Sequence, residues 1–498
     1  MTSSKFKLSK SSYVKGHQCK KYLWLSHHNP EQAAPPSSFQ ESIFKQGHEV
    51  EFLARKLFPN GVSMAPSQLD VLHQTQDTIT HGASVIYEAA FSYQDVLIRA
   101  DIIARNPDNT WDLYEVKSTT KIRKESKDKA LKPQYMQDVS IQKWVMEGAG
   151  IKIKRCHIIY LNSKYIRGRE LDLKSLFIIE SVDSDIAIAL GDVPKLVLDF
   201  LAILKGTQPE VDIGSQCNNP YECPYKSKCW KDVGPISIHC LTRITDTKRK
   251  NLKDLGVNDI KDIPISFELT ANQQIQMQAV QNKLQINLHE IKKFMTDFEE
   301  PLYFLDFETI GYAIPRYQET TPYQKLTFQY SIHVLHNGSL GHSEFFYEQD
   351  SDPSRKCAEN LIRELRDVGS IVAYHKSFEA GQIRDLAERF TDLAPALNNI
   401  ENRLIDLEVP FAKFWYCDGR FEGRSSIKKV LPILIPTLSY EGLSIQKGEE
   451  AQRAYLEFLG IIAPLKSSDE IREDLLNYCK LDTLAMVEIY NVLKAISN

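Results

Sequence analysis

The stretch Tyr303-Phe-Leu-Asp-Phe-Glu-Thr309 puts two carboxylates, Asp306 and Glu308, on one side of an otherwise apolar strand, because side chains two apart in a strand share a face. Burying two acids among aromatic and aliphatic residues is costly unless a cation neutralises them. The economical reading of the segment is a divalent-metal site. Metal with paired carboxylates points in turn to phosphoryl chemistry.

A second constellation of the same kind lies earlier. Alternating Val96, Ile98, Ala100 and Ile102 predict a half-buried strand that carries Asp101. Asn106-Pro-Asp-Asn109 predicts a turn, and Trp111, Leu113, Glu115 and Lys117 share one face of the returning strand. In a hairpin centred on that turn, Asp101 falls opposite Glu115, and two acids and a lysine converge on one point. A helix near 135–147 then offers Asp138 and Gln142 one turn apart on one face. An earlier helix, around 44–57, sets the polar residues Gln46-Gly-His-Glu49 in an apolar pattern. His48 reads equally as a satisfied helix histidine, while Glu49 is a candidate further metal ligand.

A chain of 498 residues exceeds one ordinary core, so several domains are expected. The formal net charge of −4 excludes a surface coated in positive charge, so any nucleic-acid contact must be local. Residues 117–132 hold seven Lys/Arg against two acids, a phosphate-backbone track or a solvated face. The first ten residues lack the apolar core of a signal peptide, and 196–204 is interrupted by Asp199. No membrane contact is expected, and the expected compartment is the cytoplasm, where disulfides are rare.

Cys217, Cys223 and Cys229 are separated by five residues each in a proline-containing, turn-prone loop, and Cys19 stands far upstream. Three clustered thiols and a distant one fit a four-thiolate site that ties together the two ends of a domain, with iron–sulfur and zinc both open.

These patterns divide the chain into a unit at 1–235, a polar helical connector at 236–298 and a unit at 299–498. In the connector, Leu252-Lys-Asp-Leu-Gly-Val257 predicts a helical hairpin, either a packing element or a DNA-backbone contact. In the last unit, alternating apolar residues around Asn337-Gly338 predict a hairpin. Ile371-Val-Ala-Tyr-His-Lys-Ser-Phe-Glu379 predicts a strand running into a helix. Ser467 and Glu470 predict the capping box of a final helix bearing Tyr478 and Asp482 one turn apart.

Asp306, Glu308, Glu379, Tyr478 and Asp482 resemble the DnaQ-like (DEDD) exonucleases of the RNase H-like superfamily. Glu379 stands where that family has aspartate. The resemblance implies two Mg²⁺ or Mn²⁺ ions bridged by Asp306, with Tyr478 orienting or deprotonating water and His375 contacting the scissile phosphate. The first unit resembles RecB-like nucleases of the PD-(D/E)xK superfamily through Asp101, Glu115, Lys117 and Gln142. That implies Asp101 and Glu115 as metal ligands and Lys117 at the phosphate. Cys19 with Cys217, Cys223 and Cys229 resembles the 4Fe-4S staple of CRISPR-adaptation and AddB-type members, although a closely spaced cysteine pair frequent there is absent. Zn²⁺ is the alternative. Almost end to end, the chain also resembles a bacterial domain-of-unknown-function family joining both modules. Residues 425–432, 438–440 and 478–486 carry that likeness, and Lys428 among them reads equally as a substrate-phosphate contact or a surface lysine.

The expected fold is α/β multidomain: a restriction-endonuclease-like mixed sheet with helices, a helical connector, and an RNase H-like mixed sheet with helices. The expected function is metal-dependent hydrolysis of DNA phosphodiester bonds, at single-strand ends, in repair, recombination or defence. RNA stands as an alternative substrate. No Gly-x-x-x-x-Gly-Lys-Ser/Thr loop is present, so unwinding falls to a helicase or defence-system partner. Competing readings are a catalytically impaired nucleic-acid-binding scaffold and a zinc-stabilised interaction module. The oligomeric state is left open.

Overall fold

The computed structural model describes residues 8–64 and 70–498. Residues 1–7, most of the stretch read above as lacking a signal core, lie outside the described residues. The chain is a mixed α/β protein of two compact units. One comprises Met1–Lys231 with Tyr312–Gln324, the other Asp232–Gly311 with Lys325–Asn498. The stretch 236–298 is thus contained in the second unit, and a short segment after residue 311 belongs to the first.

The first unit is built on a mixed sheet of β1 (Leu8–Ser9), β2 (Val62–Ser63), β3 (Val85–Tyr93), β4 (Val96–Arg105), β5 (Trp111–Lys117), β6 (Ile153–Leu161) and β7 (Phe177–Ser181). The order is β2-β3-β4-β5-β6-β7, with β1 added in parallel to the start of β4. β4 and β5 form the predicted antiparallel hairpin, and their register ends at Ile102 opposite Tyr114. Beyond that pair the Val116 amide bonds to the Asp101 carboxylate at 2.8 Å, in place of a backbone acceptor.

Alternation along β4 breaks at the same residue. Val96, Ile98 and Ala100 face one apolar cluster, yet it is Ile103 that rejoins them, while Ile102 faces the other. The opposing strand carries its own irregularity: Glu88 has φ of +55°, a region costly for a residue with a side chain. Helix Pro133–Gly148 packs on the first cluster, helix Ser38–Arg55 on the second. Ala313 and Ile314, from the Tyr312–Gln324 segment, are buried in that second cluster, and Tyr323 exchanges hydrogen bonds with Ser118.

The second unit holds a five-stranded sheet and a separate two-stranded one. The strands are β8 (Leu284–Ile286), β9 (Leu302–Ile310), β10 (Leu326–His336), β11 (Ser339–Phe346), β12 (Ile371–Ala373), β13 (Leu404–Asp406) and β14 (Tyr416–Asp418). The larger sheet runs β11-β10-β9-β12-β13, antiparallel from β11 to β9 and parallel beyond, and β8 pairs with β14. Asn337 and Gly338 both take positive φ, the backbone that a two-residue hairpin turn requires. Helix Ser468–Ser497 starts at the expected capping box of Ser467 and Glu470. The connector residues form a small core of their own around Leu252, Val257, Ile260 and Ile263, while Leu255 of the same element stays exposed.

Candidate metal centres

β9 carries Asp306 and Glu308 on the face covered by helix Ser468–Ser497, which brings Asp482 to them. Ligand oxygens of Asp306, Glu308 and Asp482 lie within 4.8 Å of one another. Hydrogen bonds fix that helix against the sheet. Gln329 Nε2 of β10 donates to the Leu475 carbonyl at 2.8 Å. Thr483, next to Asp482, meets Ser331 Oγ at 2.8 Å and His333 Nδ1 at 2.7 Å. Tyr440 donates to Asp482 Oδ1, and the Cys479 thiol lies 3.6 Å from Asp306 Oδ2.

Three gathered acids with little solvent resist ionisation. Burial, and then the Asp482 charge, push Glu308 up to about 8. Burial and Asp482 hold Asp306 well above the ordinary aspartate range, and burial raises Asp482 itself against the pull of Tyr440 and Lys428. Glu379, only 3% exposed at the start of helix Ser377–Arg389, is outside the triad, yet its charge acts on both Asp306 and Glu308. Its Oε2 is buried without a hydrogen-bond partner, and burial pushes it up to about 8.

Lys428 and Tyr478 form the rim of this site. Lys428 Nζ donates to the Tyr478 hydroxyl at 3.0 Å and the Gln446 carbonyl at 2.6 Å, and lies 5.0 and 5.2 Å from the Tyr478 and Tyr440 ring centroids. Burial, and then the charges of Asp482, Glu308 and Asp306, drive the Tyr478 hydroxyl far above its ordinary value. His375 is different. Its side chain is 69% exposed and its Nδ1 bonds Glu408 Oε2 at 2.7 Å.

In the first unit Asp101, Glu115, Lys117, Gln142 and Asp138 meet at the end of the β4–β5 pairing. Lys117 Nζ bonds Glu115 Oε1 at 2.7 Å and Asp138 Oδ2 at 2.6 Å. Gln142 Nε2 donates to Glu115 Oε2 at 2.7 Å and Asp138 Oδ1 at 3.1 Å. Lys10, a residue the sequence pattern does not flag, is the further member. It follows directly on β1, and its Nζ reaches both Glu115 oxygens at 3.0 and 3.1 Å. Burial by itself raises Glu115, but the Lys10 and Lys117 ammoniums outweigh it and hold the carboxyl below its ordinary range. Asp101 goes the other way, pushed up to about 8 by burial and then by the Glu115 charge.

Glu49 does not join this group; its side chain is exposed, as is that of His48. Two residues further along the same helix, Glu51 forms an acidic group with Glu88 and Asp101, all within 4.8 Å. Arg55 bonds both Glu51 and Glu88, and burial with the Glu51 contact pushes Glu88 up to about 7. Of the seven basic residues at 117–132, three have acidic partners: Lys117 lies in the site, Arg123 pairs with Asp185 and Glu180, and Lys121 pairs with Glu125.

Cys19, Cys217, Cys223 and Cys229 are free thiols lining one cavity. Cys19 sits between helices Lys10–Gln18 and Lys20–His28. Burial pushes Cys223 up to about 11, with Cys19, Cys217 and Cys229 adding to the shift. Four thiols charged together in such a pocket need a cation to compensate them.

The family described as "Domain of unknown function (DUF2779)" matches residues 303–426, the stretch with Asp306, Glu308 and Glu379, so the chain contains such a domain. The chain is 28% identical over 233 residues to "Uncharacterized protein MG366 homolog" of Mycoplasma pneumoniae, covering 40% of this chain and 33% of that one. It is 27% identical over 245 residues to "Uncharacterized protein MG366" of Mycoplasma genitalium (45% and 36%), and 24% over 280 residues to "Uncharacterized protein UU173" of Ureaplasma parvum (49% and 39%). The match thus spans little more than a third of the length of those relatives. A solved structure titled "Crystal structure of SSO0001" shares 13% identity at a TM-score of 0.23, over 47% of this chain and 90% of that one, too faint a likeness to carry an argument. Among the described residues no helix is long and apolar enough to cross a membrane. What the comparisons establish is a DUF2779 domain and kinship with these mycoplasmal and ureaplasmal proteins.

Proposed function

We propose that this protein is a divalent-metal-dependent nuclease that hydrolyses phosphodiester bonds of DNA, most naturally at single-strand ends. The observation that carries the reading is the convergence of Asp306, Glu308 and Asp482, with the unpartnered Glu379 oxygen nearby. Four acids so placed suit Mg²⁺ or Mn²⁺, hard cations that take oxygen ligands. Bound there, such ions supply positive charge to the phosphate and lower the pKa of a water molecule.

The chain's own groups do the rest. Asp306, Glu308 and Asp482 fix the ligand geometry, and Tyr440 holds Asp482 in its rotamer. Tyr478, whose hydroxyl accepts from Lys428 Nζ at 3.0 Å, serves to orient or deprotonate the attacking water. Lys428, held between two tyrosine rings, gives a fixed positive charge for a non-bridging phosphate oxygen. In the first unit Asp101 and Glu115 are candidate ligands of a second hydrolytic centre, with Lys117 at the phosphate. The four cysteines fit a four-thiolate group, read as 4Fe-4S with Zn²⁺ as the alternative, that clamps residue 19 to the 217–229 loop.

The test is release of nucleotides from end-labelled single- and double-stranded oligonucleotides with Mg²⁺ or Mn²⁺. Activity lost on Asp306→Ala and on Asp482→Asn supports the reading. A wild-type protein that binds the oligonucleotide without ever cutting it points instead to a nucleic-acid-binding scaffold.

A further inference from the structure

Glu115 is saturated. Its Oε1 accepts from Lys10 Nζ at 3.0 Å and Lys117 Nζ at 2.7 Å, and its Oε2 from Lys10 Nζ at 3.1 Å and Gln142 Nε2 at 2.7 Å. A carboxylate offers about four lone-pair positions, so none is left for a metal ion. Lys10 Nζ also lies 3.7 Å from both Asp101 Oδ1 and Asp138 Oδ1 and so reaches all three carboxylates, whereas Lys117 pairs with Glu115 and Asp138. The Asp306, Glu308 and Asp482 group is in the opposite state. The nearby Lys428 ammonium hydrogen-bonds Gln446 and Tyr478 rather than the acids.

We infer that Lys10 is a built-in counter-cation of the first unit's centre, seated on the edge of Glu115 that faces Asp101, where a divalent ion would bind. The two centres therefore load in order: Asp306, Glu308 and Asp482 take metal directly, while Asp101 and Glu115 take it only as Lys10 is displaced. The physical cost is that of lifting an ammonium from a buried, hydrogen-bonded pairing, and the ion must offset it before it binds. Lys117 makes its ion pairs with Glu115 and Asp138, away from the Asp101 side that Lys10 occupies. The inference rests on the metal reading above.

The test is Mn²⁺ binding to the full chain, followed by the paramagnetic signal of free Mn²⁺, in a background carrying Asp306→Asn and Asp482→Asn so that the first centre reports alone. Lys10→Met should tighten Mn²⁺ binding by about tenfold or more, and Lys117→Met by clearly less. Lys10→Gln, which keeps a hydrogen-bond donor, should fall between wild type and Lys10→Met and covers the case in which Lys10→Met does not fold. Binding that is unchanged or weaker in both Lys10 variants, yet abolished by Glu115→Gln, overturns the counter-cation role and leaves the metal reading standing. Equal tightening by Lys10→Met and Lys117→Met also overturns it, since bulk charge would then explain the effect. No Mn²⁺ uptake sensitive to Glu115→Gln in any variant overturns the metal reading of this centre, and the inference with it.

Discussion

The Tyr440 hydroxyl donates to Asp482 Oδ1, linking a loop residue to a carboxylate on helix Ser468–Ser497. A short side chain such as aspartate has few contacts to fix its rotamer, and hydrogen bonds to ligating carboxylates tune metal sites strongly. Tyr440→Phe keeps the buried ring and removes only the donor. Metal affinity of the second unit should fall by about tenfold, with little change in the thermal midpoint. Calorimetric Mn²⁺ titration beside a melting curve checks both parts, and an unaltered affinity would show that the bond does not position Asp482.

The buried acids make stability depend on pH in a definite sense. Glu308 and Glu379 each rise from an ordinary 4.5 to about 8 in the folded chain. The folded state therefore holds more protons than the unfolded state between those values. Stability is full below pH 4.5 and is lost as pH rises through 8. Asp101, moving from 3.8 to about 8, adds to the same trend. In chelator, melting temperatures should decline from pH 5 to pH 8, and Mg²⁺ or Mn²⁺ should restore more at pH 8 than at pH 5. A chelated protein equally stable at both would sink this account.

Removing Lys117 takes the nearest cation from Asp138, leaving it Gln142 and the more distant Lys10, and weakens the clamp on Glu115. Lys117→Met should cost about 3 kcal/mol in urea unfolding, the scale for breaking a buried ion pair from one side. Combining it with Asp138→Asn should recover part of that loss, because the two residues share one interaction. Additive effects in the double-mutant cycle would contradict the coupling.

The four thiols give a prediction independent of catalysis. Protein purified without oxygen should contain iron and absorb in the violet, and Cys223→Ser should lose both together with thermal stability of the first unit. Colourless protein with one equivalent of zinc would assign the site to Zn²⁺ instead.

Both acidic constellations were legible because carboxylates in apolar strands violate the ordinary pattern of burial, and a two-residue period places Asp306 beside Glu308 directly. The capping box at Ser467 and Glu470 placed the helix, the one-turn offset put Asp482 beside Tyr478, and the resemblance to DnaQ-like exonucleases marked it as a site residue. Glu51 and Glu88 were not legible. Glu88 enters the cluster through a positive φ inside β3, which no alternation rule foresees, and on the helix it is Glu51 rather than the flagged Glu49 that reaches it. Lys10 and Tyr440 were hidden for another reason. Each comes from a segment without periodic patterning, and only the tertiary fold carries it to acids 105 and 42 positions away. Proximity of that kind leaves no mark on local sequence.

Residues Tyr312–Gln324 leave one strand of the second unit, fill part of the first unit's interior with Ala313 and Ile314, and return to the next strand. No single cut in the gene therefore yields an intact half. A fragment ending at residue 231 would lack two of its own buried side chains, and a fragment beginning at 232 would expose them to water. Dissecting this protein calls for point inactivation of each centre within the whole polypeptide, or for a graft that replaces the 312–324 excursion with a short turn while supplying it separately to its host.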